Sequence, residues 1–399
     1  MKEVVIAGCC RTPIGSHGGA IKDLPAQRLA EIVFRETLAR TKVDPARIDE
    51  VILGCIAQPS EAANVGRVAA LMAGVPFEVP GYTVARNCAS GLEAVTCAFR
   101  AIQAEEGELY LVGGAESMSS IPYCVKGARW GLKLRHAQFT DMLWEGLTDP
   151  ICNQIMGRTA ENVAEKYGIT RDEQDAYAVE SHKKAFMANR MGKFKEEIVA
   201  VSVEKKIAGK VIASEPITQD EGINPTLSVQ KLALYPTVFK ENGTVTPGNA
   251  CGISDGASAL IVATESRAKS LGLDILGHIR GYAYAGVDPA YMGIGPAYAV
   301  PKALKRAGLK LTDIQVVELN EAFAAQVLAV GKILKDDGWD WAKLNPNGGA
   351  IALGHPVGAT GARQIATILY EMRRRDLRYG LTTMCVGGGQ GGAMVVERK

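Results

Sequence analysis

The chain reads as an α/β protein built from two similar halves, with a loop domain inserted in the first. Three observations predict this. Short β-branched runs alternate with helically periodic segments up to about residue 117. Between 118 and 249 the alternation stops, and aromatic, methionine and charged residues become more frequent. The alternation then resumes with an internal echo: Ile48–Leu53 (IDEVIL) against Ile314–Leu319 (IQVVEL), 266 residues further on. The expected division is 1–117 plus 250–270 for the first half, 118–249 for the inserted lid, and 271–399 for the second half.

In chain order, Val4–Ala7 is a buried-type strand, followed by a loop through Arg11-Thr12-Pro13 and Gly15 to Gly19. His17 in that loop reads as a solvated residue. Leu29, Ile32 and Val33 recur at helical spacing, giving a helix from about Pro25 to Arg40. Val51–Cys55 is a second strand, and Ala62–Ala73 a helix stopped by Gly74 and Pro76. Tyr82–Ala85 is a third strand, broken by Asn87-Cys88-Ala89-Ser90-Gly91. The next segment puts Leu92, Val95, Phe99 and Ile102 on one helical face, so Cys88 falls between a strand and a helix N-terminus. Leu109–Gly114 is a further strand.

In the inserted segment, Thr170 and Glu173 form a capping-box pair for a charged helix running to Arg190. Lys205–Asp220 and Thr226–Phe239 read as irregular or hairpin-like. The α/β rhythm returns at Ala257–Ala263, Ile275–Ala285, the helix Pro301–Ala307, Ile314–Leu319 and Leu381–Val396. Asn345–Gly361 (NPNGGAIALGHPVGATG) carries five glycines, two prolines and His355, and feeds a helical run at Ala362–Leu369. Such a loop lets the backbone approach a ligand closely. The plain alternative is a sharp turn with an incidental histidine. Adding the echo's offset to Cys88 lands one residue from His355, which predicts equivalent corners that meet at a pseudo-twofold centre.

Composition bounds the function. The 399 residues are 47% hydrophobic and 22% charged, as in a globular protein, and Lys+Arg 45 against Asp+Glu 43 gives net charge +2. No global field points to nucleic acid or an anionic membrane. No run reaches the roughly 18 apolar residues of a spanning helix. The N-terminus enters a strand at once, leaving no room for a signal peptide, so a cytoplasmic location is expected. Nine cysteines without a CxxC pair disfavour both a zinc site and a disulfide framework.

Four places could carry chemistry. Cys88 sits where a helix dipole favours thiolate, though a buried inert cysteine fits the same turn. His355 is the side chain best suited to activate a thiol near neutral pH, or it is a histidine bonded to the glycine-rich backbone. Cys385, in LTTMCVGGGQGG, ends a strand beside backbone N–H donors able to form an oxyanion hole, or it lies in a glycine-lined bulge. Asn320 could hold a water or polarise a carbonyl and Glu321 could orient a base, although Asn-Glu is also a plain helix cap.

NCASG around Cys88, NEAFA from Asn320, the segment around His355 and CVGGGQGG from Cys385, in this order, resemble the thiolase family over essentially the whole chain. The resemblance implies a five-layer αβαβα fold. It implies cleavage of 3-ketoacyl-CoA by CoA, or the reverse Claisen condensation of two acyl-CoA molecules. Cys88 would be the acylated nucleophile, His355 its activator and Cys385 the acid/base. Asn320 would hold a water that forms one oxyanion hole with His355, and the N–H groups of Cys88 and Gly387 would form the other. Leu147, Met156, Phe239, Met292, Ala322 and Phe323 would line the CoA channel.

Two positions depart from the short-chain pattern: Ile155 precedes Met156 where a histidine is usual, and Cys251 replaces a serine near the pantetheine. Met292, in YMGIGP, agrees with it. No permanently bound cofactor or metal is implied; coenzyme A and acyl-CoA enter as substrates. A homodimer or homotetramer is implied as well. A ketoacyl-synthase-like condensing enzyme, a non-catalytic acyl-CoA or lipid binder, and a redox-sensing thiol protein are the competing readings.

Overall fold

The computed structural model of the chain describes residues 2–134, 136–207 and 210–399. Nine strands form the path of one mixed sheet: β1 (Val4–Arg11), β2 (Glu50–Gly54), β3 (Gly81–Val84), β4 (Leu109–Ser117), β5 (Ser254–Thr264), β6 (Ile275–Gly286), β7 (Val316–Leu319), β8 (Tyr379–Val386) and β9 (Gln390–Glu397). Their order is β7-β8-β9-β6-β1-β5-β4-β2-β3, and Gly15–Ser16 adds a short tenth strand beside β5. β2 runs parallel to β3 and β4, and β7 parallel to β8; the other neighbours are antiparallel.

The repeat is visible in that order. β2-β4-β5-β1 in the first half corresponds to β7-β8-β9-β6 in the second, and the two meet where β1 pairs β6 at Val5↔His278. A parallel bridge Val317↔Leu344 stands where β3 stands in the first half. Short 3-10 turns at Pro45–Arg47 and Leu311–Asp313 precede β2 and β7 with the same 266-residue offset as the echo.

Helices fill three layers. α1 (Ala26–Thr41) and α2 (Val65–Met72) cover one face of the first half, burying Leu29, Val33, Phe34 and Ala69 against Val51, Leu53 and Ile261. α3 (Ser90–Gln103) and, later in the chain, Thr360–Arg375 share a central core in which Leu92, Val95, Ile365 and Leu369 meet strand residues of both halves. Val300 and Leu304 in Gly295–Ala307 and Val327 in Ala324–Ile333 pack with Val317 and Leu381 on the far face. That stacking is the αβαβα arrangement. Strands buried on both faces explain why β4 and β5 read as continuous apolar runs.

The inserted segment leaves from β4 and returns to its neighbour β5, which pair in register from Asp255↔Ser117 to Ala263↔Leu109. It carries α4 (Met156–Tyr167), which sequence reading passed over, and α5 (Arg171–Arg190), whose Thr170–Glu173 capping box forms as expected. The hairpin read at Lys205–Asp220 is present as Val201–Ile207 against Lys210–Ile217, and residues 208 and 209 lie outside the described residues. Thr226–Phe239 contains a short helix, Val229–Leu232. Leu381–Val396 is the β8–β9 hairpin, turned at Gly387-Gly388-Gly389, so the strand read as ending at Cys385 does end beside the glycines. The longer helices of the second half follow as α6 (Gly295–Ala307), α7 (Ala324–Ile333) and α8 (Thr360–Arg375).

Arg11 holds the insertion to the sheet. Fully buried, it pairs with Glu197 (Nε–Oε1 2.6 Å) and with both oxygens of Asp220 (2.6 and 2.9 Å). Such a bidentate, charge-assisted grip is what a guanidinium supplies and an ammonium does not.

Candidate active site

α3 and α8 cross tip to tip. A Cβ on Gly91 would stand 2.8 Å from the Ala362 nitrogen and 2.9 Å from the Gly358 oxygen, and one on Gly361 would collide with Leu92. Glycine here is a packing requirement: only bare backbone lets the helix starts approach this closely. The two corners therefore do meet. Their equivalence is offset, however. The helices begin at 90 and 360, so Gly358 matches Cys88, and His355 lies three residues earlier.

Cys88 lies just ahead of α3, partly exposed. Asn87 before it takes a left-handed backbone (φ 41°), which asparagine tolerates better than most residues. Burial pushes the Cys88 thiol pKa up, the N–H groups of Gly387 and of Cys88 itself pull it down, and Glu116 raises it again. Those two N–H donors are the pair expected to face the acyl oxygen.

His355 is buried between Ala350–Leu353 and α8. Its backbone N–H donates to Ser254 Oγ (3.1 Å). Its Nδ1 lies 2.6 Å from Thr360 Oγ1, and that hydroxyl donates to the Pro356 carbonyl (3.0 Å). Nε2 faces the Asn320 amide nitrogen at 3.4 Å. All three contacts hold together only with the ring proton on Nδ1, which leaves the Nε2 lone pair as the acceptor. Burial, followed by the Arg363 charge, pushes the imidazole pKa down to about 3. Arg363 is itself paired with Glu318 at 3.0 Å.

Asn320 is buried, and its Oδ1 has no hydrogen-bond partner among the described residues, an unusual state for a buried amide oxygen. A water accepted at this point would satisfy it. Glu321 does not touch His355. Its carboxylate accepts from Tyr177 (2.8 Å), Ser181 (2.6 Å), Asn345 (2.8 Å) and the Ile351 N–H (3.2 Å). It thus ties α5 of the insertion to the loop that carries His355. Glu116 does comparable work from the other side, accepting the N–H groups of Ala57 (2.9 Å) and Gly358 (2.8 Å).

Cys385 is buried at the end of β8, and its thiol pKa is raised well above the ordinary value, first by burial and then by the charges of Cys88 and Cys251. Cys251 is pushed up to about 12 by burial and by Cys88. Three thiols therefore share one electrostatic neighbourhood.

Five of the six residues expected along the CoA channel, and Cys251 expected near the pantetheine, gather around Cys385. Met292, Ala322, Phe323, Met156, Phe239 and Cys251 share its apolar cluster, with Phe239 edge-on to Phe323 at 6.4 Å. The Cys251 N–H donates to the Ala322 carbonyl (3.0 Å). Leu147 stands outside the cluster, joined through its carbonyl to the Met156 N–H (2.9 Å). Sequence reasoning missed Thr360, Ser254, Glu116 and Arg363. Thr360 alone lay within a motif already singled out, five residues from the histidine.

A duplicated α/β sheet whose central helices touch tip to tip, with Cys88 just ahead of one and His355 five residues ahead of the other, defines the fold class. Likeness to known proteins identifies the family. A model of the thiolase N-terminal domain matches residues 4–266, and one of the thiolase C-terminal domain matches 273–398. The acetyl-CoA acetyltransferase of Pseudomonas aeruginosa is 45% identical over 401 residues, covering 100% of both chains. A probable acetyl-CoA acyltransferase of Staphylococcus aureus is 45% identical over 399 residues, again covering 100% of both. Among solved structures, the Bacillus anthracis acetyl-CoA acetyltransferase aligns at TM-score 0.96 and 44% identity, covering 100% of this chain and 99% of that one. Human mitochondrial 3-ketoacyl-CoA thiolase in complex with CoA aligns at TM-score 0.94 and 41% identity, covering 100% and 98%. The chain belongs to the thiolase family.

Proposed function

We propose that this chain is an acyltransferase that cleaves 3-ketoacyl-CoA with CoA, and runs the reverse condensation, through an acyl thioester on Cys88. The observation that carries this reading is the tip-to-tip contact of the two helices that follow Cys88 and His355, with Asn320 on the imidazole at 3.4 Å and Cys385 in the Met156–Phe239–Phe323 cluster. The Nε2 lone pair of His355 takes the Cys88 proton as the sulfur attacks the keto carbon. The carbon–carbon bond breaks, and the leaving enolate of acetyl-CoA takes a proton from Cys385. An incoming CoA thiol then gives its proton to Cys385 and displaces the acyl group from Cys88, whose sulfur recovers its proton from His355, which regenerates both thiols and the neutral imidazole.

The N–H groups of Cys88 and Gly387 serve the oxygen of the acyl group, and a water on the open Asn320 Oδ1, with His355, serves the enolate. Each such donor is worth about 3–4 kcal/mol of transition-state stabilisation. The split into two half-reactions is the sense of covalent catalysis. CoA is thus a substrate, a reading supported by the human mitochondrial relative, which is solved in complex with CoA. Met292 beside Phe323 supports short acyl chains, whereas Ile155 and Cys251 each remove a polar contact to the thioester arm.

We place the chain as a homo-oligomer in the cytosol. All nine cysteines are free thiols, as suits a reducing compartment. Among the described residues no helix is long and apolar enough to cross a membrane. The test is mass spectrometry after brief incubation with acetyl-CoA. An acetyl adduct on Cys88 is expected, retained in Cys385→Ser with turnover lost; no adduct on wild-type Cys88 overturns the reading.

A further inference from the structure

The glycine turn that offers its N–H to Cys88 is gripped by the two residues that precede Cys88. Asn87 Nδ2 donates to the Gly387 carbonyl at 2.7 Å, across 300 residues of chain. Arg86 Nη1 donates to Gln390 Oε1 at 3.0 Å, at the far end of the same turn. Both gripping residues are themselves held. The Asn87 carbonyl accepts the Ser90 N–H (3.0 Å) and the Ser90 hydroxyl (2.7 Å). The Arg86 guanidinium pairs with Glu93 (2.9 Å) and lies 4.1 Å from the Tyr284 ring centroid.

The turn needs such a grip. Gly387, Gly388 and Gly389 follow β8 in succession, and the last two have positive φ (83° and 76°). Three glycines in a row leave the backbone more freedom than any other triplet. A hydrogen-bond donor contributes to catalysis only when held where charge develops.

We propose that Asn87 is a positioning residue that fixes Gly387, and through it one of the two N–H donors that face the acyl oxygen on Cys88. This rests on the reading of Cys88 as the acylated thiol. The carboxamide fixes the carbonyl side of Gly387 while the N–H of the same residue faces the sulfur, so the donor direction is set from the first half of the chain. The left-handed backbone of Asn87 is what turns its side chain toward the second half.

The test compares Asn87→Gly, which keeps the left-handed backbone free of strain, with Asn87→Asp, which keeps the shape but presents an acceptor to the Gly387 carbonyl. Measured are kcat and KM with acetoacetyl-CoA, the pH profile of Cys88 alkylation by iodoacetamide, and thermal melting. Both variants should melt close to wild type, with kcat lowered by about 10- to 100-fold and KM within about twofold. The midpoint of alkylation should move to higher pH, because a thiolate that loses an aimed N–H is less stabilised. Should Asn87→Gly melt early, Asn87→Asp decides alone. Variants that fold with unchanged kcat and an unchanged alkylation profile overturn the proposal. Absence of an acetyl adduct on wild-type Cys88 would overturn the function instead, and the alkylation profile would still decide the role of Asn87.

Discussion

His355 is a buried base beside a cation, and both circumstances favour its neutral form. Its folded pKa of about 3 lies below the ordinary value near 6.5, so the unfolded chain binds more protons in the interval between them. The contribution to stability is therefore complete above about pH 6.5 and lost as pH falls toward 3. The same shift predicts that the rate of Cys88 acylation by acetyl-CoA has no acidic limb from this histidine between about pH 5 and pH 8. Stopped acylation across that range should be flat on its acid side. A limb near pH 6.5 that vanishes in His355→Ala would mean that the imidazole titrates at its ordinary value and is not held neutral by burial. At this scale, Cys88, His355 and Cys385 could be singled out in the sequence because each sits in a compact, glycine-bearing motif, and Asn320 because it falls at a strand end. Asn87, Thr360 and Glu321 could not be assigned their partners, because the groups that they hold come from distant chain or are fixed by rotamer.

The helix tips carry the geometry. α3 and α8 touch through Gly91 and Gly361, and the loops before the two tips carry Cys88 and His355. Gly361→Ala would drive a methyl group into Leu92, part the tips, and move thiol and imidazole away from each other. Overpacking of this kind costs about 1–3 kcal/mol in stability. A displacement of about 1 Å costs on the order of 100-fold in rate. Gly286→Ala, whose Cβ meets nothing within 4 Å, is the control and should change neither. Equal activity in both variants, with equal melting temperatures, would show that the tips are not in register with the chemistry. The sequence announced α3 and α8 through their apolar faces. It hid α4, whose buried positions are mostly small (Gly157, Thr159, Ala160, Ala164) and carry little hydrophobic signal. The three glycines of the β8–β9 turn marked the end of β8 in the sequence.

The whole molecule is two sheets' worth of strands made continuous by β1 and β6, with an insertion fastened at a few buried charges. Arg11 is the chief fastening, and its loss would strand the carboxylates of Glu197 and Asp220 in the interior. Removing one partner from such a set costs about 3–5 kcal/mol. Arg11→Ala should lower the denaturant midpoint accordingly, with a first transition in which the insertion frees itself; an unchanged midpoint would show that the insertion is held by packing alone. The duplication was legible in one six-residue echo, because β2 and β7 occupy matching positions in matching halves. The β1–β6 seam was not, since its pairing depends on how the two halves dock.

The offset of the two corners has a consequence for the ancestry of the site. A perfectly symmetrical dimer of halves would possess two identical corner pairs and so two places for chemistry. In this chain the position that matches Cys88 is Gly358, and the one that matches His355 by the same 270-residue helix offset is Ala85. Each half has surrendered what the other keeps. A single chain thereby sets one unlike pair, Cys88 and His355, at a junction that the fold repeats symmetrically.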